Sequence, residues 1–168
     1  MKKFIFVIGL AASIVWSSFA VAQKPVESKI TVITQSLLQL RLSEDVSLEE
    51  AGEAMVSKAS DLNMKLLGRQ KVHEELRNRG LKTPHLEIFQ FCDPKAARTA
   101  VMGNYLYAAY MPCSIALVED NDGVAWLLML NLDMLINNKM LSPELTEVAI
   151  EVNKSLLDII TAGATGDF

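Results

Sequence analysis

Leu38, Leu40 and Leu42 alternate with Gln39 and Arg41, the period-two pattern of a strand with one buried face. After them the period lengthens. Leu48, Ala51, Met55, Ala59 and Leu62 recur at helical spacing, and Ser47 followed three residues later by Glu50 forms a capping box, so a helix with one apolar stripe starts there. Residues 64–70 predict a second strand and residues 72–79 a short charged helix, stopped by Gly80 because glycine enters the left-handed conformation cheaply. Residues 86–92 predict a third strand. Leu86, Ile88 and Gln90 share one face, and Glu87, Phe89 and Phe91 the other. Large apolar groups on both faces point to an interior strand, in which Glu87 needs a partner or a wet pocket. Asp93 and Pro94 are the cap and first-turn residues of a helix over residues 95–102 that ends at Gly103-Asn104. Residues 114–118 and 124–130, joined by Asp120-Asn121-Asp122-Gly123, predict a hairpin. Ser142 and Pro143 open the last helix, whose stripe is Leu145, Val148, Val152, Leu156 and Ile159. It is expected to stop near Gly163, leaving a short surface tail to Phe168. Strands and helices in this order predict an α+β fold, a single compact domain with a mostly antiparallel sheet packed against helices.

The first residues follow a different rule. Lys2 and Lys3, an apolar run from Phe4 to Val15, and the small triplet Ala20-Val21-Ala22 form a secretory signal peptide with cleavage after Ala22. A dozen apolar residues fall short of the roughly 20 that span a bilayer. The expected organisation is a signal peptide over residues 1–22, a lead-in with the first strand over 23–45, and one α+β domain over 46–168. The mature chain is expected to be soluble, periplasmic or secreted, with no stable membrane insertion. Loss of Lys2 and Lys3 takes the formal charge from -4 to -6, and Arg69, Lys71, Arg77 and Arg79 are interrupted by Glu74 and Glu75. Nucleic acid is therefore not an expected partner.

Most of the usual catalytic motifs are missing. The sequence has no GxxxxGK[ST], HExxH, GxSxG or CxxCH, which removes the usual hardware of nucleotide hydrolysis, zinc proteolysis, serine hydrolysis and covalent haem attachment. No motif names a cofactor or a metal site, and enzymatic activity is not the leading expectation. Two cysteines remain, Cys92 and Cys113, with twenty residues between them. Three readings stay open. A disulfide suits an exported chain and would contribute roughly 3 kcal/mol, provided the two strands run antiparallel; a parallel crossover would hold the sulfurs roughly 17 Å apart. A functional thiol suits Cys92, beside the positive end of a helix that stabilises a thiolate, although Asp93 competes for the same amides. Both are otherwise small core residues.

Around Cys113, "GNYLYAAYMPCSI" places Tyr105, Tyr107, Tyr110 and Met111 ahead of Pro112, which turns Met111 away from helix. Tyr107, Tyr110 and Met111 are candidates to line a pocket for an apolar or planar ligand. Glu87 is a candidate binding residue, with a salt bridge to Arg98 as the structural alternative. His73 and His85 read as lone surface histidines.

"LEIFQFCDPKAA" followed by "MPCSIALVEDNDGVAWLLMLN" resembles the family known as domain of unknown function 302, in which a strand ends in Cys-Asn-Pro, a helix follows and Pro-Cys opens a hairpin. Asp93 stands here for the usual Asn, and Ser114 where an arginine often follows. The resemblance runs over roughly residues 46–135. It implies a compact α+β fold, often a homodimer, exported members in bacteria with sulfur metabolism, and no established reaction. It also implies that relatives in reducing compartments keep both cysteines, which favours thiol function. The expectation is an exported thiol-redox or sulfur-carrier/binding module working through Cys92 and Cys113, with Glu87 and Met111 nearby, acting on a small sulfur species or an apolar ligand. The alternative is a non-catalytic binding module for an apolar or haem-like ligand above a structural disulfide.

Overall fold

The computed structural model describes residues 37–137 and 141–168; the expected signal peptide and most of the lead-in lie outside them. Five strands, β1 Leu37–Arg41, β2 Lys65–Gln70, β3 Leu86–Cys92, β4 Cys113–Glu119 and β5 Ala125–Leu130, form one antiparallel sheet in the order β1-β5-β4-β3-β2. The helices are α1 Leu48–Asp61, α2 Val72–Asn78, α3 Pro94–Gly103, α4 Asp133–Asn137 and α5 Pro143–Thr165, with a 3-10 helix at Tyr105–Tyr110. This is the expected α+β domain. The first strand, grouped in sequence with the lead-in, is hydrogen-bonded to β5 as the sheet's edge.

Helix α1 begins with the capping box: the Glu50 amide donates to Ser47 Oγ and the Ser47 amide donates to Glu50 Oε2. It packs against α5, and together they cover one sheet face. Met55, Ile159 and Ile160 meet Phe89, Phe91, Ile115, Leu117 and Leu127 there. Each of these side chains contributes roughly 1.5–3 kcal/mol through burial. β3 lies between β2 and β4, as two apolar faces require, and Glu87, Phe89 and Phe91 point into the core. A bulge between Leu66 and Gly68 leaves Leu67 as the extra, exposed residue of β2.

The last helix differs from expectation at its end. It continues to Thr165 and stops at Gly166, which takes the left-handed conformation with φ 74°. Gly163 is inside the helix because α1 and α5 touch there: a Cβ would lie 2.5 Å from Met55 Cγ and 3.0 Å from Leu127 Cδ1. Gly163 and Ala164 are consequently buried rather than part of a surface tail. The short α4 has no strong signal of its own; Asn153 of α5 holds it, accepting from the Leu132 amide and donating to Asp133.

Candidate thiol site

Cys92 closes β3 and Cys113 opens β4. The strands run antiparallel with Phe91 opposite Cys113, so the thiols come to the same end of the sheet. Direct partners and the rise along a strand place their Cα atoms about 6 Å apart, but strand alternation sends Cys113 to the Phe91 face and Cys92 to the opposite one, so the Cβ vectors diverge. They stand as free thiols, each half-buried.

Helix α3 leaves from Cys92 through Asp93 and Pro94. Asp93 Oδ1 accepts from the amides of Lys95, at 2.7 Å, and Ala96, at 3.2 Å. Those amides serve the carboxylate, not the neighbouring sulfur. The outcome is opposite to a dipole-stabilised thiolate: burial, and then the Asp93 charge, push the Cys92 thiol up from its ordinary value. Burial, with Cys92 beside it, pushes Cys113 up to about 11. At neutral pH both groups are protonated, hence poor nucleophiles but compatible with an apolar environment.

That environment is a cleft. It opens between α3 and the 3-10 helix on one side and α4 and α5 on the other, with a volume of about 100 Å³. Ala97 and Ala100 of α3 leave the room, Tyr107 and Tyr110 form one wall, and Leu145 and Val152 form the other. Gly103 sets the width at the end of α3, where a Cβ would lie 3.2 Å from Leu145 Cδ1. Met111 also lines the cleft, in extended backbone ahead of a cis bond to Pro112.

Of the residues singled out in sequence, Cys92, Cys113, Met111, Tyr107 and Tyr110 are therefore brought together. Glu87 is not. It lies five residues back along β3, roughly 16 Å away at strand rise, and is 2% exposed. Its partner is Arg69 of β2, whose Nε donates to Glu87 Oε1 at 2.6 Å, rather than Arg98. The β2–β3 register explains this, since Arg69 stands opposite Phe89 on the face that Glu87 shares. The α5 residues of the cleft wall were read as ordinary core positions. The alanines at 96, 97 and 100 were the available signal, because small side chains on one helix turn leave space beside a thiol.

His73 and His85 are also placed differently from expectation. His73 is 5% exposed, and its ring packs against that of His85 with centroids 4.1 Å apart and a tilt of 32°. Residues 85 and 87 share strand parity, which puts His85 on the same face as Glu87. Among the described residues no group of three or more His, Cys, Asp or Glu side chains is arranged to hold a metal ion, and no helix is long and apolar enough to cross a membrane.

Comparison with known proteins gives a family and a fold. The family model for the domain of unknown function DUF302 matches residues 39–163, a longer stretch than the motif resemblance covers. The crystal structure of an uncharacterized conserved protein DUF302 from Bacillus stearothermophilus is similar to this chain, with a TM-score of 0.64 and 22% identity, over 75% of this chain and 96% of that one. At this identity the likeness concerns the fold. No curated protein matches the chain.

Proposed function

Since the chain belongs to the DUF302 family, whose description names no activity, we propose from its own geometry that it is an exported accessory module binding a small apolar ligand beside two thiols. The observation that carries this reading is the cleft, apolar on nearly every side, with Cys92 and Cys113 in its lining. Its size sets the ligand. A dry cavity of about 150 Å³ admits benzene, whereas drug-sized ligands occupy roughly 300–1,000 Å³. With about 100 Å³ available, the cleft suits a small apolar group or the end of an acyl chain. A haem-like ligand is too large.

Thiol exchange is the second reading, favoured by two unbonded cysteines at one end of the sheet. Cys92, the less deeply placed, would attack an incoming disulfide as thiolate, forming a mixed disulfide and expelling the partner's thiolate. Cys113 would then displace the carried group, closing a Cys92–Cys113 disulfide as the end of β3 turns the Cys92 side chain toward it. Both thiols sit high in pKa, so exchange needs a partner or alkaline pH to supply the thiolate. Binding does not.

The test is a titration of the purified mature protein with xenon, an apolar probe smaller than benzene, followed by the methyl resonances of Leu145, Val148 and Val152 and by the alkylation rate of Cys92. Binding should shift the methyls and slow alkylation, and Ala100→Phe should abolish both effects. Unmoved methyls in the wild type would refute the binding reading. Intact mass after alkylation under denaturing, non-reducing conditions separates the second: two alkyl groups mean free thiols, and a mass two hydrogens short means a disulfide.

A further inference from the structure

The other end of β3 holds a polar cluster that the cleft does not use. Arg69 joins Glu87 to Glu53 of α1, donating through Nη1 at 2.9 Å, and lies 4.9 Å above the Phe89 ring. His85 sits at the mouth of β3. Its backbone N–H donates to Glu119 Oε2 of β4 and its carbonyl accepts from the Glu119 amide. Its ring nitrogen Nε2 lies 3.3 Å from Glu87 Oε2 but away from the hydrogen-bonding direction, and it is buried without a hydrogen-bond partner. The His73 ring packs against it from α2. Because a carbonyl only accepts, His73 Nδ1 carries the proton it donates to Leu86 O at 2.9 Å.

We propose that the packed His73–His85 pair is an acid-sensitive latch, holding α2 and the 79–85 loop on the end of β3 and releasing them when His85 is protonated. His73 is the buried residue of α2. The other anchors of that helix are the half-buried Val72 and Leu76, since its Lys71–Glu74 and Arg79–Glu75 pairs are exposed and weak for that reason. No carboxylate facing the pair is placed to accept a hydrogen bond from a proton carried on His85 Nε2. Glu87 Oε1 is taken by Arg69 and its Oε2 lies off the ring's hydrogen-bonding direction; Glu119 is engaged by the His85 backbone, and Glu53 by Arg69. A proton on His85 therefore sets a buried, unpartnered cation against the His73 ring, where separation is the relief.

The sign is consistent. Burial first, and then His73, push the His85 pKa below its ordinary value against the pull of Glu87 and Glu119. A depressed histidine contributes stability that is present above the ordinary range near pH 6.5 and is lost as the pH falls through the folded-state value.

Native-state hydrogen exchange on the full mature chain at about pH 7.5 and about pH 5, corrected for intrinsic rates, tests the latch. Protection of the α2 amides should fall about tenfold or more at the lower pH while α1 and α5 hold. His85→Phe, which keeps a ring but takes no proton, should flatten this dependence. Should His85→Phe not fold, His85→Gln serves, together with imidazole NMR titration of the wild type, where His85 should titrate below its ordinary value. Uniform loss of protection across the domain, α2 unchanged at the lower pH, the wild-type pH dependence persisting in the variant, or a His85 titration at or above its ordinary value would each overturn the proposal.

Discussion

β3 carries an interior site at each end, and the two solve opposite problems. At the Glu87 end the chain buries charge and fills the space: Glu87, Arg69 and Glu53 are linked, and a Cβ on Gly52 would lie 2.9 Å from Arg69 Nη2 and 3.0 Å from Phe89 Cζ. At the Cys92 end it leaves space and places almost no polar group in it. A filled, paired polar cluster specifies structure, and the scarcity of room around it leaves nowhere for a ligand. An unfilled apolar cleft loses packing contacts and hydrophobic burial. Keeping one beside two thiols is what the proposed ligand reading requires. A buried acid in a strand is thus no guide to the proposed site, though it looks as functional in sequence as the cysteines do.

Breaking the charged end should give the largest effect. Arg69→Met strands the Glu87 carboxylate in the core and should cost about 3–5 kcal/mol, whereas the double change Arg69→Met with Glu87→Leu should recover most of that loss. Urea denaturation at neutral pH measures both. A small loss for the single variant would mean that solvent reaches Glu87, and the contrast between the ends would weaken.

Adding atoms to each end sharpens the comparison at a lower energy. Gly52→Ala presses on Arg69 and Phe89 and should cost about 1–3 kcal/mol, while Ala100→Val grows into open cleft and should change stability by less than about 1 kcal/mol. Thermal melts of the two variants decide it. Equal losses would show that the cleft closes in solution.

How far such differences are legible in the sequence depends on the range of the forces behind them. The capping box at Ser47, the Asp93-Pro94 helix start and the hairpin at Asp120 follow from hydrogen bonds within a few residues, and each is found where the local pattern puts it. The interior position of β3 followed from its two apolar faces. What sequence could not supply was register. Only the offset of β2 against β3 brings Arg69 rather than Arg98 to Glu87, and only the packing of α2 on β3 brings two apparently isolated histidines into ring contact. Gly163 read as a helix stop for the same reason, because a glycine needed for close approach to Met55 looks in sequence like one needed for a turn. The cysteines were identified from their chemistry alone; the cleft beside them arises from α5, whose lining begins only at Leu145, far along the chain from both Cys92 and Cys113.

The thiol end has its own pH signature. With Cys113 held up at about 11 against an ordinary 9.0, the fold favours the protonated thiol. Its contribution is complete below pH 9 and is lost as the pH rises through the folded-state value. Stability of the wild type should therefore decline above about pH 9 more steeply than that of Cys113→Ala, as read from urea midpoints across the alkaline range. Coincident curves would mean that Cys113 is not buried as a thiol in solution.

The smallest effect isolates one charge. Asp93 caps α3 through its Oδ1 and also raises the pKa of Cys92. Asparagine caps nearly as well as aspartate, so Asp93→Asn should cost no more than a few tenths of a kcal/mol. It removes the carboxylate charge beside the sulfur, and the Cys92 thiol pKa should fall toward its ordinary value. Alkylation of Cys92 at neutral pH should then run a few times faster, while Cys113, raised mainly by burial, should change little. The comparison within one variant separates the two causes. If both thiols accelerate together, the substitution has opened the cleft instead of removing a charge; if neither does, burial alone governs Cys92.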